Sequence, residues 1–183
     1  QDRSKTMKIA FVPRNSSRTE VVIDFGESAL SVHHGMAYES TNDHVVLVTS
    51  AFDRYKFGNE FGFSPGSSVY TKRASSDGLG TQTLYKVTCD LARKTIVKKT
   101  ALCSGKPCDF LSINQLMEGQ GHGPAKHLFA ATGSYTSNKM DLFDEITHFN
   151  VETEEVAGKY KVRRHLRYST QQQQQKDDFI CLF

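Results

Sequence analysis

Near its start the chain encodes a strand, a polar turn and a second strand side by side, and this hairpin constrains the fold more than any other segment. Residues 32–39 (VHHGMAYE) precede the turn residues 40–43 (STND) and the apolar run 44–48 (HVVLV). Asn and Asp favour a tight turn, and a run of β-branched residues favours a buried strand. The pattern therefore predicts a hairpin that belongs to a sheet.

A strand–turn–strand pattern also recurs later in the chain. Residues 83–97 form one copy, and residues 146–156 form another about 60 residues further on. The triplets 89–91 (CDL) and 149–151 (FNV) occupy matching places in the two copies. Recurrent hairpins at such a spacing, with hardly any helical periodicity, are typical of β-propeller blades. We therefore predict an all-β fold.

Two adjacent histidines, His33 and His34, lie in the first strand of the opening hairpin. Successive strand residues point to opposite faces of a sheet, so only one of the two can face a given cavity. One of them is thus a candidate metal ligand, although a histidine in a strand is also commonly an ordinary hydrogen-bonded residue.

The composition excludes some classes of function. The 23 basic and 20 acidic residues give a formal net charge of +3, and no basic stripe interleaves with aromatic residues, so we expect no nucleic-acid partner. No apolar run has transmembrane length, and residues 1–5 (QDRSK) do not resemble a signal peptide. The chain has four cysteines, Cys89, Cys103, Cys108 and Cys181. Because their spacing is irregular, we expect reduced, partly buried thiols rather than a disulfide framework.

The chain divides into three parts. Residues 1–6 form a polar leader, residues 7–160 carry the predicted strands and a Gly- and Ser-rich long loop at 54–80, and residues 161–183 form a tail with a Gln-rich insert. The chain lacks an initial Met and ends on the apolar residues 179–183. Because an unpaired apolar strand exposes a sticky edge, we expect the sequence to be a piece of a longer protein.

Several segments of the chain, in order and in register, carry a family resemblance: residues 13–14, 21–24, 32–39, 45–53, 84–91, 106–114, 126–133 and 143–153. They resemble the carotenoid cleavage oxygenase family, which includes retinoid isomerase and epoxycarotenoid dioxygenase types. The similarity covers roughly residues 7–156, and the agreement fades after residue 158. The resemblance implies part of a seven-bladed β-propeller, made of several antiparallel blades.

The resemblance also implies a metal site. The family holds iron(II) with four histidines at one end of the propeller, and three of them donate their second ring nitrogen to a carboxylate, which fixes the tautomer and orientation of the ring. The family's ligand signature matches His33 here, with Val32 and Met36 where the family has Phe and Asn. Asp109 stands where the family has an orienting Glu and is one methylene shorter. The neighbouring His34 fits a packing or hydrogen-bonding role.

The implied activity is the O2-dependent cleavage of a carbon–carbon double bond in a carotenoid or apocarotenoid. In the family the other three ligands come from upstream and from near the C-terminus. The remaining histidines lack the flanking residues of those ligands: His44, His122, His127, His148 and His165. We therefore expect a segment of a nonheme iron dioxygenase that is inactive alone. The alternative is a non-catalytic propeller remnant that binds an apolar ligand or a partner.

The resemblance is compatible with an intracellular parent protein that associates peripherally with membranes, and with a plastid if the source is photosynthetic.

A zinc module is a further alternative. Cys103 and Cys108 are separated by four residues, thirteen intervene before His122, and four more before His127, which nearly fits a two-cysteine, two-histidine zinc spacing. However, the glycines and the proline within residues 119–124 would break the helix that should present both histidines.

Overall fold

The computed structural model describes residues 4–14, 19–40, 43–53, 82–113, 126–133, 135–136, 139–140 and 143–161. Three predicted features therefore lie outside the described residues, namely the start of the leader, the long loop 54–80 and the Gln-rich tail. Within the described residues the chain forms twelve strands and no helix. No helix in this part of the chain is long and apolar enough to cross a membrane.

The strands are β1 (Lys8–Phe11), β2 (Val21–Asp24), β3 (Leu30–Glu39), β4 (His44–Phe52), β5 (Gln82–Asp90), β6 (Thr95–Ser104), β7 (Cys108–Ile113), β8 (His127–Thr132), β9 (Tyr135–Thr136), β10 (Lys139–Met140), β11 (Glu145–Asn150) and β12 (Glu155–Lys161). Two four-stranded antiparallel sheets contain eight of them. The first blade has the order β3-β4-β5-β6, and the second has the order β7-β8-β11-β12. Strands β9 and β10 pair with each other as a separate two-stranded sheet within the connection from β8 to β11.

The two blades repeat the same outer hairpin, as the sequence pattern predicted. Asp90 ends β5 and accepts a hydrogen bond from the backbone N–H of Arg93 at 2.8 Å. Asn150 ends β11 in the same way and accepts bonds from the two backbone N–H groups that follow the turn's start, at 3.0 and 3.1 Å. The turns also share a left-handed residue, Lys94 (φ 56°) in one and Glu154 (φ 62°) in the other. Short polar side chains thus build both turns by the same local bonding.

The main hydrophobic core lies between the two blades. It includes apolar side chains from both: Met36, Val48, Leu84, Leu102 and Cys103 from the first blade, and Cys108, Leu128, Ala130, Phe149 and Val151 from the second. Strands β3 and β7 are the first strands of their blades and lie beside each other. Gly35 permits this approach, because a Cβ atom there would lie only 2.8 Å from Leu128 Cδ1 and 3.2 Å from Leu111 Cβ.

The opposite face of the first blade is covered by the β1–β2 hairpin. Ile23 and Phe25 are buried there against Val87 and Cys89 of β5. The ammonium group of Lys99 lies 4.4 Å from the centre of the Phe25 ring, where a cation–π attraction holds it. Both faces of the first blade are therefore packed against other parts of the chain, and its edge strand β3 contacts β7 of the second blade.

Candidate metal centre

Strands β3 and β7 bring His33 and Asp109 into contact. The Nδ1 atom of His33 lies 2.8 Å from Oδ1 of Asp109, although the two residues are 76 positions apart in the chain. The Asp109 side chain is 12% exposed and the His33 side chain 45% exposed. Because a carboxylate only accepts hydrogen bonds, Nδ1 is the donor in this contact, an arrangement that in a neutral imidazole leaves the lone pair on Nε2. A histidine in this state is ready to bind a metal through Nε2.

Backbone irregularities lie at this contact in both strands. The pairing of β3 with β4 shifts between Ser31 and His34 and again between His34 and Met36. The pairing of β7 with β8 shifts just after Asp109, where Phe110 has a positive φ of 50°. Bulges of this kind change the direction of a side chain relative to the regular alternation of a strand. The His33–Asp109 contact therefore lies at local departures from ideal β-structure in both strands.

An aromatic surface adjoins the candidate ligand. The Phe110 ring lies 5.5 Å from the His33 ring, centre to centre, and packs edge-on against Phe143 at 5.3 Å. Phe110 is 62% exposed, so most of its side chain is open to contact from outside the sheet. Sequence reasoning did not single out either phenylalanine. The only signal in the sequence was that Phe110 directly follows Asp109.

His34 has different surroundings from His33. Its Nδ1 atom lies 2.8 Å from the hydroxyl oxygen of Thr49, and the hydroxyl of Ser31 is 3.5 Å away. Thr49 is almost completely buried in β4. These bonds to hydroxyl groups are those of a hydrogen-bonded histidine, and that His33 rather than His34 is the ligand of the pair stays a prediction.

The other described histidines are also paired. His44 lies 3.6 Å from Asp90, and Nδ1 of His127 lies 2.9 Å from Nε2 of His148. Burial and the neighbouring His127 lower the pKa of His148. Among the residues that the structure describes, no group of three or more His, Cys, Asp or Glu side chains could hold a metal ion. His122 and His165 lie outside those residues.

The strand register contradicts the zinc alternative. Cys108 pairs with Thr132, at the far end of β8 from His127. Five strand residues span about 16 Å, whereas ligands of one zinc ion lie within roughly 4 Å of each other. Cys108 and His127 therefore cannot share a zinc ion.

The fold and this contact together define a class of protein. It is a β-propeller in which the first strands of two adjacent blades bring together a histidine and a carboxylate. The sequence resemblance predicts that these two residues are one ligand of an iron site and its orienting carboxylate, and that role stays a prediction.

Comparison with known proteins gives the family. The family model described as RPE65, retinal pigment epithelial membrane protein, matches residues 1–174, so the chain belongs to this family, the carotenoid cleavage oxygenases. No curated protein matches the chain significantly.

Solved structures agree with the fold. The crystal structure of cobalt-substituted Synechocystis ACO superimposes with a TM-score of 0.64 at 18% identity, over 87% of this chain and 29% of that one. The crystal structure of an ACO/RPE65 chimera, in a monoclinic form, gives 0.63 at 16% identity, over 86% and 29%. The chain thus spans less than a third of the length of these structures. The predicted fold class, part of a seven-bladed β-propeller, is confirmed.

Proposed function

We propose that this chain is a segment of a nonheme iron(II) oxygenase that cleaves a double bond of a carotenoid or apocarotenoid with O2. His33 is one iron ligand of the parent protein, and Asp109 orients it. The observation that carries the proposal is the 2.8 Å contact between His33 Nδ1 and Asp109 Oδ1. The chain alone is inactive in this proposal, because a single histidine binds iron(II) too weakly to retain it.

The chemistry of the pair fits iron. Neutral imidazole nitrogen is a suitable ligand for this metal, and the carboxylate of Asp109 keeps the proton on Nδ1 and restricts rotation of the His33 ring. Removing such a hydrogen-bond partner typically lowers metal affinity or activity about 10–100-fold. When bound in the complete protein, iron supplies the activation of O2. This chain contributes one pre-oriented nitrogen and the strands that hold it.

The surroundings of His33 fit an apolar substrate. Phe110 and Phe143 form an aromatic surface next to His33, and the exposed ring of Phe110 does not belong to the main core. Sites for apolar molecules are lined mainly by such side chains. A polyene held against Phe110 would lie close to the metal position, which is the geometry that cleavage of one double bond requires.

The test uses the whole protein that contains this segment. Iron content and polyene cleavage are measured for the unchanged protein and for the variants His33→Ala and Asp109→Ala. We expect His33→Ala to lose both iron and activity, and Asp109→Ala to lose about 10–100-fold in iron affinity. The matched control is His34→Ala, which removes the neighbouring imidazole and should retain iron. Full iron content in His33→Ala would contradict the proposal and favour the non-catalytic alternative.

A further inference from the structure

Two buried cysteines meet where the chain passes from the first blade to the second. Cys103 lies near the end of β6 and Cys108 begins β7, with a four-residue connection between them that turns at Gly105 (φ 70°). Cys103 is 9% exposed and Cys108 is fully buried. Both belong to the core between the blades, where their buried side chains are close enough for each thiol to change the pKa of the other.

The scaffold holds this contact firmly. The backbone N–H of Cys108 donates to Oε1 of Gln82 at 2.9 Å, and its carbonyl accepts from the Ser50 hydroxyl at 2.8 Å. Gln82 also donates to Ser50 at 2.7 Å, and both side chains are buried. Cys103 is fixed on the same blade, because it pairs with Leu84 in the neighbouring strand. Buried hydrogen bonds to the first blade thus position both cysteines.

The two sulfur atoms differ in charge preference. The hydrogen bond from Cys108, helped by Lys106 and Lys159, lowers the pKa of Cys103 to about 7, against the opposing effects of burial and Glu145. The same hydrogen bond and burial raise the pKa of Cys108 far above its usual range. The thiolate is the reactive form of cysteine, and Cys103 is also the more exposed of the two thiols, at 9% against 0% for Cys108. Exposure and charge preference together make Cys103 the nucleophile of the pair and Cys108 its proton-bearing neighbour.

We propose that Cys103 and Cys108 form a redox modification site, in which hydrogen peroxide joins the two thiols as an intramolecular disulfide. The inference does not depend on the proposed function. The cysteine pair lies close to the candidate metal centre, because Asp109 directly follows Cys108 in β7.

The reaction balances in two steps. The Cys103 thiolate attacks one oxygen of hydrogen peroxide; an S–O bond forms, the O–O bond breaks, and hydroxide leaves, which takes up a proton to become water. The Cys108 sulfur then attacks the sulfenic sulfur of Cys103 and loses its proton. The S–S bond forms, the S–O bond breaks, and a second water leaves. Two thiols are oxidised by two electrons, and one peroxide is reduced to two waters.

The decisive measurement needs no substitution within the pair. The full chain carrying Cys181→Ser is reduced, treated with hydrogen peroxide, and mapped by mass spectrometry of non-reduced peptides. Cys181 is replaced because it lies outside the described residues. We expect a loss of about 2 Da, one linked peptide pair containing Cys103 and Cys108, and full reversal by a dithiol. Peroxide treatment that leaves these two peptides unlinked, or links either one to Cys89, would overturn the proposal.

The matched control is Cys89, which is as fully buried as Cys108 but lies in the separate core on the other face of the first blade. Burial raises its pKa to about 11, so Cys89→Ser should form the disulfide at an unchanged rate. Cys108→Ser should stop at the sulfenic acid, which dimedone traps on Cys103, and Cys103→Ser should give no adduct. Circular dichroism of each reduced variant checks folding. Equal trapping on Cys89 and Cys103 would refute the assigned roles.

Discussion

Adding one methyl group at Gly35 is expected to push the first strands of the two blades apart. The new Cβ atom would lie 2.8 Å from Leu128 Cδ1 and 3.2 Å from Leu111 Cβ, well inside the roughly 3.5–4.0 Å at which carbon atoms attract each other. Leu128 is completely buried, so its side chain has no solvent into which it can move. In Gly35→Ala the relief must therefore come from a displacement of β3 away from β7.

Overpacking of a core by one carbon typically costs about 1–3 kcal/mol. At this chain length each kcal/mol lowers the melting temperature by about 2–4 °C, so Gly35→Ala should melt about 2–12 °C below the unchanged chain in a thermal scan followed by circular dichroism. The control is Gly158→Ala, whose Cβ would meet nothing closer than the Tyr160 hydroxyl at 3.4 Å. That variant should melt at an unchanged or slightly higher temperature, because alanine is less costly than glycine in a strand.

Equal melting temperatures for Gly35→Ala and Gly158→Ala would refute the reasoning, because the close approach of the blades at Gly35 would then not require a glycine. A second readout links the same variant to the site. Because β3 carries His33 and β7 carries Asp109, a displacement between the strands lengthens their hydrogen bond. In the whole protein, iron content should therefore fall in Gly35→Ala and not in Gly158→Ala.

Two further predictions concern charge and strain. Hydrogen bonds from Lys98 and Lys86 lower the pKa of Glu154 below its ordinary value of 4.5, so the ion pairs stabilise the fold above that pH and are lost as the pH falls through the lower, folded-state value. Glu154→Gln should thus reduce the melting temperature at pH 7 and flatten its decline between pH 5 and 3; parallel acid profiles would contradict this. Phe110 has a left-handed backbone conformation, which costs a residue other than glycine about 1–2 kcal/mol. Phe110→Gly relieves this strain and removes an exposed ring. The melting temperature should hold or rise while polyene affinity of the whole protein falls, and unchanged affinity would remove Phe110 from the binding surface.

The sequence by itself determined the fold class and the family. The outer hairpins were readable because their signals are local: alternation along each strand, and Asp90 or Asn150 at the start of each turn. The position of His33 was readable because it lies in a continuous signature rather than in scattered residues. Asp109 was identified only through the family resemblance, since nothing in its immediate neighbours marks it as a partner of a histidine 76 residues away.

Only the tertiary structure decided which side chains meet. Gly35 sets the spacing between β3 and β7, and the bulges beside His33 and Asp109 aim those side chains at each other; neither feature follows from hydrophobic periodicity, because a bulge is a departure from the period. Strand register likewise separated Cys108 from His127 and removed the zinc alternative, while the crossing between blades joined Cys108 to Cys103. Contacts of this kind arise from the packing of one sheet on another, which no stretch of the chain encodes alone.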